Sequence, residues 1–86
     1  MTIEERRFIL IGYADTFVPE LLNVVRKDPD ISDDDLEEIL HGWILAEVIE
    51  YETSGYSDVA ECLKEDTDIV IYDAMEILKE VLDALL

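Results

Sequence analysis

The stretch from Asp28 to Tyr51 constrains the fold most, because an acidic loop there leads directly into the most apolar helix that the sequence predicts. Pro29 removes a backbone donor and disfavours a helical conformation at the residue before it, so any preceding helix ends here. Ser32 is a good N-cap, and the carboxylates that follow it lie where the helix dipole favours negative charge. The sequence therefore predicts a helix that begins after Ser32 and ends shortly before Gly55.

The apolar residues of this helix change sides at Gly42. At about 100° per residue, the apolar residues before Gly42 share one face, and those after it lie on the side that was acidic. The first group is Leu36, Ile39, Leu40 and Trp43, and the second is Ile44, Leu45, Val48 and Ile49. Such a helix is either covered by two neighbours or kinked at the glycine, and in both cases we expect it at the centre of the fold.

Helical patterns also cover the rest of the chain. We expect a first helix capped by Thr2 and interrupted at Pro19, where it either kinks or gives way to a second helix that starts near Asp15 or Thr16. A short helix over residues 58–64 capped by Ser57 and a last helix from residue 68 capped by Thr67 are also expected. The 86 residues are enough for one domain. The sequence thus predicts a single all-α domain over residues 1–86, a small bundle of four to five helices. Its expected core includes Leu40, Trp43, Ile71, Leu78 and Leu82.

Negative charge is concentrated in the last two-thirds of the chain. Residues 1–27 hold four acids and four bases, so 4 − 4 = 0, whereas residues 28–86 hold 23 − 4 = 19 acids and 6 − 4 = 2 bases, a net −17. Such a surface excludes nucleic acid and anionic lipid as direct partners and favours basic proteins or cations. Adaptation to a high-salt cytoplasm would also make a chain acidic, but the neutral first third argues against a general acidification.

Four acids of the last predicted helix, Asp73, Glu76, Glu80 and Asp83, follow a regular spacing. They are separated by three, four and three residues, which places them on one stripe, about 80° wide, at axial steps of about 4.5 to 6 Å. Each DNA strand carries one phosphate per ~3.4 Å of axis. The solvated face of an amphipathic helix is the alternative origin of such a stripe. With the acids that open the central helix, these residues form the predicted partner-binding set: Asp33, Asp34, Glu37, Glu38, Asp73, Glu76, Glu80 and Asp83.

No catalytic, cofactor or metal motif is present in the sequence. Alternating oxygen side chains from Asp28 to Asp34 resemble the start of an EF-hand loop, but the sixth position is Asp33 instead of Gly and the twelfth is Ile39 instead of Glu. The single Cys62 rules out an internal disulfide, and no apolar run approaches the ~18 residues of a membrane span. We therefore expect a cytoplasmic, non-enzymatic protein without a metal, a cofactor or a membrane partner.

Part of the chain resembles the Ocr-type antirestriction proteins of phages. Their D-D-L, H, V-P-x-Y and D-I arrangement is similar to four segments between residues 34 and 63 of this chain, which lacks the proline. The segments are Asp34-Asp35-Leu36, His41, Val48-Ile49-Glu50-Tyr51 and Tyr56-Ser57-Asp58-Val59. The resemblance implies an acidic, helical mimic of B-form DNA that blocks a DNA-handling defence enzyme. Small acidic anti-CRISPR proteins belong to the same functional class.

Charge and resemblance together favour an inhibitor that occupies the nucleic-acid-binding surface of a basic partner, a host nuclease or CRISPR complex. The alternative is an acidic helical adaptor, or a homodimeric interaction module, without nucleic-acid mimicry. Self-association is expected in either case, because residues 43–49 and the last helix carry more apolar surface than one small domain needs.

Overall fold

The structure is a computed structural model that describes residues 2–85, which form four α-helices and no strand. This confirms the all-α expectation. In chain order the helices are α1 (Ile3–Lys27), α2 (Asp33–Thr53), α3 (Ser57–Glu65) and α4 (Thr67–Leu85).

The starts of α1 and α2 and the end of α2 follow the sequence prediction. The Thr2 hydroxyl accepts a hydrogen bond from the Glu5 amide at 3.1 Å, and the Ser32 hydroxyl accepts one from the Asp35 amide at the same distance. Each bond satisfies an amide that has no partner inside its own helix. After α2, Gly55 has a φ of 86°, a left-handed conformation that residues with a Cβ rarely adopt.

The predicted caps of α3 and α4 were wrong. Ser57 is already the first residue of α3, and Tyr56 precedes it without a capping side-chain bond. Thr67 likewise lies inside α4, where its hydroxyl donates to the Leu63 carbonyl of α3 at 2.6 Å. Only one residue separates the two helices, so this hydroxyl reaches back to a carbonyl at the end of α3.

α1 continues through Pro19, so the expectation of a second helix starting near Asp15 or Thr16 was wrong. A proline in a helix removes the hydrogen bond to the carbonyl four residues earlier, which here belongs to the exposed Asp15, where water can reach it. Buried residues on both sides of the proline, Phe17, Val18 and Leu21, hold the two halves of the helix against the core. Tertiary packing therefore outweighs the local preference of proline.

The most extensive helix pairing is between α1 and α4, which run parallel. Arg6 near the start of α1 bonds Asp66, just before α4, and Ile11 one turn later lies beside Asp73. α2 runs antiparallel to α1. Tyr13 contacts Tyr51 near the end of α2, whereas Phe17, which is later in α1, stacks on Trp43, which is earlier in α2. α4 is therefore antiparallel to α2, and the short α3 covers the end of α2.

α2 continues without a break through Gly42 and is covered chiefly by α3 and α4. Its buried residues are four apart: Leu36, Leu40, Ile44 and Val48. Because four residues turn through about 400°, such a row drifts by about 40° at each step, which accounts for the change of apolar side at Gly42. α2 touches every other helix, but the most extensive pairing is that of α1 with α4.

The predicted core residues divide into two groups. Leu40 and Leu78 are fully buried, whereas Trp43, Ile71 and Leu82 are only partly buried and pack around the margin of the core. The prediction underestimated α1, which contributes five buried residues of its own: Leu10, Ala14, Phe17, Val18 and Leu21.

By length and composition, α1 is also apolar enough to cross a membrane, and it is the one such helix within residues 2–85. The 18 residues between Arg7 and Arg26 include only Asp15 and Glu20 as charged residues. This corrects the expectation that no apolar run approaches that length. Core helices of globular proteins, which are mostly buried, meet the same criterion; α1 packs against α4, and 28% of its apolar window is buried.

Candidate functional site

Three of the four predicted carboxylates on α4 are exposed. Glu76, Glu80 and Asp83 lie on the outer face of the helix, as the spacing predicts. Asp73 differs, because it is half-buried where α4 meets α1, beside Ile11. The expectation that the whole stripe faces solvent was therefore wrong at its first residue.

The four predicted carboxylates at the start of α2, Asp33, Asp34, Glu37 and Glu38, are all exposed. Ser32 caps this helix, and its first-turn acids lie near free amides, where negative charge is favourable. Helix capping accounts for the place of Asp33 and Asp34, which lie in the first turn, but not for that of Glu37 and Glu38. It leaves the negative charge on their outer side available to a partner.

Lys79 connects the two acidic groups. Its ammonium lies 3.5 Å from a carboxylate oxygen of Asp33, and both side chains are largely exposed. The contact places the start of α2 beside the second half of α4, as their antiparallel arrangement requires. We call the combined set of Asp33, Asp34, Glu37, Glu38, Glu76, Glu80 and Asp83 the acidic surface.

Two other bases bind acids far from this surface. Arg6 bonds Glu65 at 2.7 Å and Asp66 at 2.6 Å, which joins the start of α1 to the end of α3. The bonds to Glu65 and then Asp66 raise the pKa of Arg6 above its ordinary value. Lys64 bonds Glu52 at 2.9 Å, which raises the Lys64 pKa in the same way. Within residues 2–85, Lys79 is thus the base whose ion pair involves the acidic surface.

The role of Arg6 was missed in the sequence. A usable signal existed, since Arg6 lies four residues before Leu10 and seven before Tyr13, on the inward side of the same helix. A charged residue at such a position requires a partner, because its charge is partly removed from water. The sequence offers 23 acids, so it could not indicate that Glu65 and Asp66 are that partner.

A groove lined by aromatic residues lies between α1, the end of α2 and α3. We call it the aromatic groove; its volume is about 350 Å³, and Phe8, Gly12, Tyr13, Tyr51 and Val59 are among its lining residues. The Tyr13 hydroxyl donates to the Tyr51 hydroxyl. Burial, and then this bond, raise the pKa of Tyr13, and the negative charges of Glu47 and Glu50 add to the effect.

A second groove, of about 390 Å³, lies between the first halves of α1 and α4. Its lining includes two arginines and two aspartates, so 2 − 2 = 0, and we call it the neutral groove. The lining residues are Ile3, Arg6, Arg7, Leu10, Ile11, Asp66, Ile69 and Asp73. In a chain of net charge −17, this is a site where the two signs balance.

The remaining polar candidates form no reactive centre. Within residues 2–85, no group of three or more His, Cys, Asp or Glu side chains is placed to hold a metal ion. His41 is exposed, and Cys62 is a buried free thiol whose pKa is raised, chiefly by burial. A raised pKa reduces the thiolate fraction and with it the reactivity of the thiol.

Comparison with protein families, with characterised proteins and with solved structures finds no match to this chain.

Proposed function

We propose that this chain is a non-enzymatic inhibitor that mimics DNA and occupies the nucleic-acid-binding surface of a host defence complex. The observation that supports this most is the acidic surface itself. Seven of the eight predicted carboxylates are exposed on two neighbouring helices, and a single base, Lys79, lies among them. An ordinary solvated face mixes charges of both signs, which relieves repulsion between like charges.

The spacing of these carboxylates suits a protein that binds DNA. Along α4, steps of three and four residues correspond to about 4.5 to 6 Å, comparable with the ~3.4 Å between phosphates of one strand. Across the surface, two packed helices are about 8 to 10 Å apart, between the widths of the minor and major grooves, about 6 and 12 Å. Lys and Arg side chains placed for phosphates would therefore find carboxylates within reach.

The proposal takes the four helices to form a stable bundle, because both rows of charge depend on the helices keeping their places. It also takes the partner to be a nuclease or CRISPR complex, since these combine a basic channel with nucleic-acid binding. Anti-CRISPR and antirestriction use share this chemistry, and the resemblance of residues 34–63 to Ocr-type proteins adds support to both.

The decisive experiment captures partners from a bacterial lysate on the immobilised parent protein and on a variant with Glu76, Glu80 and Asp83 changed to Lys. All three side chains are exposed, and exposed substitutions usually change stability by under about 0.5 kcal/mol each, so the variant should keep its fold. We expect the parent to retain nucleic-acid-binding proteins that duplex DNA or RNA displaces and that salt releases. The variant should retain them at least about tenfold less well, since charged contacts to basic partners are electrostatic.

A matched control separates the pattern of charge from its amount. Changing Asp15, Glu20 and Glu50 to Lys also alters three exposed acids, and both triple variants have a net charge of −17 + 6 = −11. The control should bind as the parent does. Equal binding by the parent and the Glu76/Glu80/Asp83 variant would refute the proposal, and so would a complex that nucleic acid does not displace.

An adaptor function is the second candidate, favoured by the aromatic groove. Phe8 at its edge is 81% exposed, an unusual position for so large an apolar side chain. An adaptor would bind through such an anchor, so Phe8→Ala would remove most of its affinity and salt would have little effect. The DNA mimic should tolerate Phe8→Ala.

A further inference from the structure

We propose that the neutral groove is a homodimer interface, in which a second copy of this chain packs across a two-fold axis. The inference is independent of the proposed function, because it concerns a different surface and a different partner. It also places self-association at the first halves of α1 and α4 and not at residues 43–49, where Trp43 stacks on Phe17 and Ile44 and Val48 are buried, although Leu45 and Ile49 are exposed.

The apolar part of this groove is largely exposed to solvent. Ile3 is 80% exposed, and Ile11 and Ile69 are each 48% exposed, although they lie around the same groove. Apolar surface of this kind is removed from water when a partner covers it, which stabilises the complex.

Charge balance identifies a second copy as the occupant. Among residues 2–85, neither Arg7 nor Asp73 forms an ion pair, although both line the groove. In a two-fold interface every contact occurs twice, so Arg7 of each copy can meet Asp73 of the other. The groove thus carries both members of a pair that a second copy would complement.

The aromatic groove does not offer balanced charge to a second copy. The charges that act on its Tyr13 include the acids Glu47 and Glu50. Two copies meeting there would bring like charges together and repel each other. The neutral groove is therefore the better site for self-association.

The position of the groove also limits repulsion between two chains of net charge −17. It lies at the first halves of α1 and α4, whereas Glu80 and Asp83 are near the end of α4. An antiparallel pair that overlaps through the first halves places these acids at opposite ends of the dimer. A stable interface needs about 800 Å² per copy, roughly one seventh of the 5879 Å² surface.

The two complexes should respond to salt differently. Salt screens both the repulsion between two acidic copies and the Arg7–Asp73 pairs between them, so the dimer should depend little on salt, whereas a complex between the acidic surface and a basic partner should weaken steeply. A failure of one proposal is therefore distinguishable from a failure of the other.

The experiment measures the oligomeric state of the full chain by sedimentation from low to tens of micromolar concentration, at low and moderate salt. We expect the parent to dimerise. Arg7→Glu and Asp73→Arg should each weaken the dimer by about tenfold or more, because each places like charges opposite each other twice. The double variant Arg7→Glu/Asp73→Arg should restore it, since the pair is re-formed with its signs exchanged.

Two further variants complete the test. Arg26→Glu makes the same charge change on an exposed residue at the other end of α1 and should leave the dimer intact. Ile69→Ser removes exposed apolar surface without a charge change and should weaken the dimer even if Asp73→Arg fails to fold, which circular dichroism would reveal. A monomeric parent at tens of micromolar would overturn the proposal. So would a dimer that survives Arg7→Glu and Ile69→Ser, or one that the double variant does not restore.

Discussion

α1 and α4 lie side by side and run parallel, yet they are built differently. α1 contains Gly12 and Pro19 in its interior, whereas α4 contains neither glycine nor proline. α1 has four acids and four bases, so its net charge is zero; α4 has five acids and one base, 1 − 5 = −4. Their buried faces are nevertheless alike, since both present aliphatic side chains to a common core.

The difference between α1 and α4 shows that the fold requires their apolar faces but not the negative charge of α4. α1 packs into the same core with a net charge of zero. The core therefore does not require acidic residues on α4, and the negative charge of α4 requires another explanation. Conversely, α4 has the local sequence of a stable helix, while α1 depends on packing to overcome a proline that costs about 3 kcal/mol in a helix interior.

The largest expected effect on stability comes from a substitution in the core that α1 and α4 share. Leu78 of α4 is fully buried, so Leu78→Ala should lower the free energy of unfolding by about 2 to 5 kcal/mol. Leu85→Ala on the same helix, where the side chain is 69% exposed, should change it by under about 0.5 kcal/mol. Urea unfolding followed by circular dichroism measures both. Similar values for the two variants would show that α4 does not pack as described.

The next effect tests whether α1 is the locally weaker helix. Pro19→Ala restores a backbone donor to a continuous helix, a gain of about 3 kcal/mol offset by about 1 kcal/mol from the more flexible unfolded chain. We expect a net stabilisation of about 2 kcal/mol in the same urea measurement. Asn23→Ala, an exposed position in α1, should give less than about 0.7 kcal/mol. If Pro19→Ala were no better than this control, α1 would not be continuous at the proline.

The smallest effect concerns the side of α1 that faces α2. The pKa of Tyr13 is raised in the folded chain, so the unfolded chain loses this proton first as the pH rises. The contribution of Tyr13 to stability should therefore be complete below pH 10, the ordinary value, and be lost as the pH rises through the folded pKa. Tyr13→Phe should flatten the alkaline fall of the unfolding free energy. Tyr72→Phe, at an exposed position, serves as the control, and an unchanged slope in Tyr13→Phe would contradict the prediction.

The sequence was sufficient where local chemistry decides the structure. Thr2, Ser32 and Gly55 each act through their own few neighbours, and all three predictions were confirmed. It was insufficient where distant residues decide. The continuation of α1 through Pro19 depends on packing against other helices, and the half-burial of Asp73 depends on where α1 meets α4.

The pairing of α1 with α4 also has a consequence for how the chain is made. α4 begins 40 residues after α1 ends, so at about 5 to 20 residues per second the ribosome needs roughly 2 to 8 seconds to deliver the partner of α1. During that interval a nascent helix with an 18-residue stretch apolar enough for a membrane has no α4 to cover it. Chaperones and targeting factors that bind apolar segments would meet α1 first, and expression of this protein should be sensitive to anything that slows translation between the two helices.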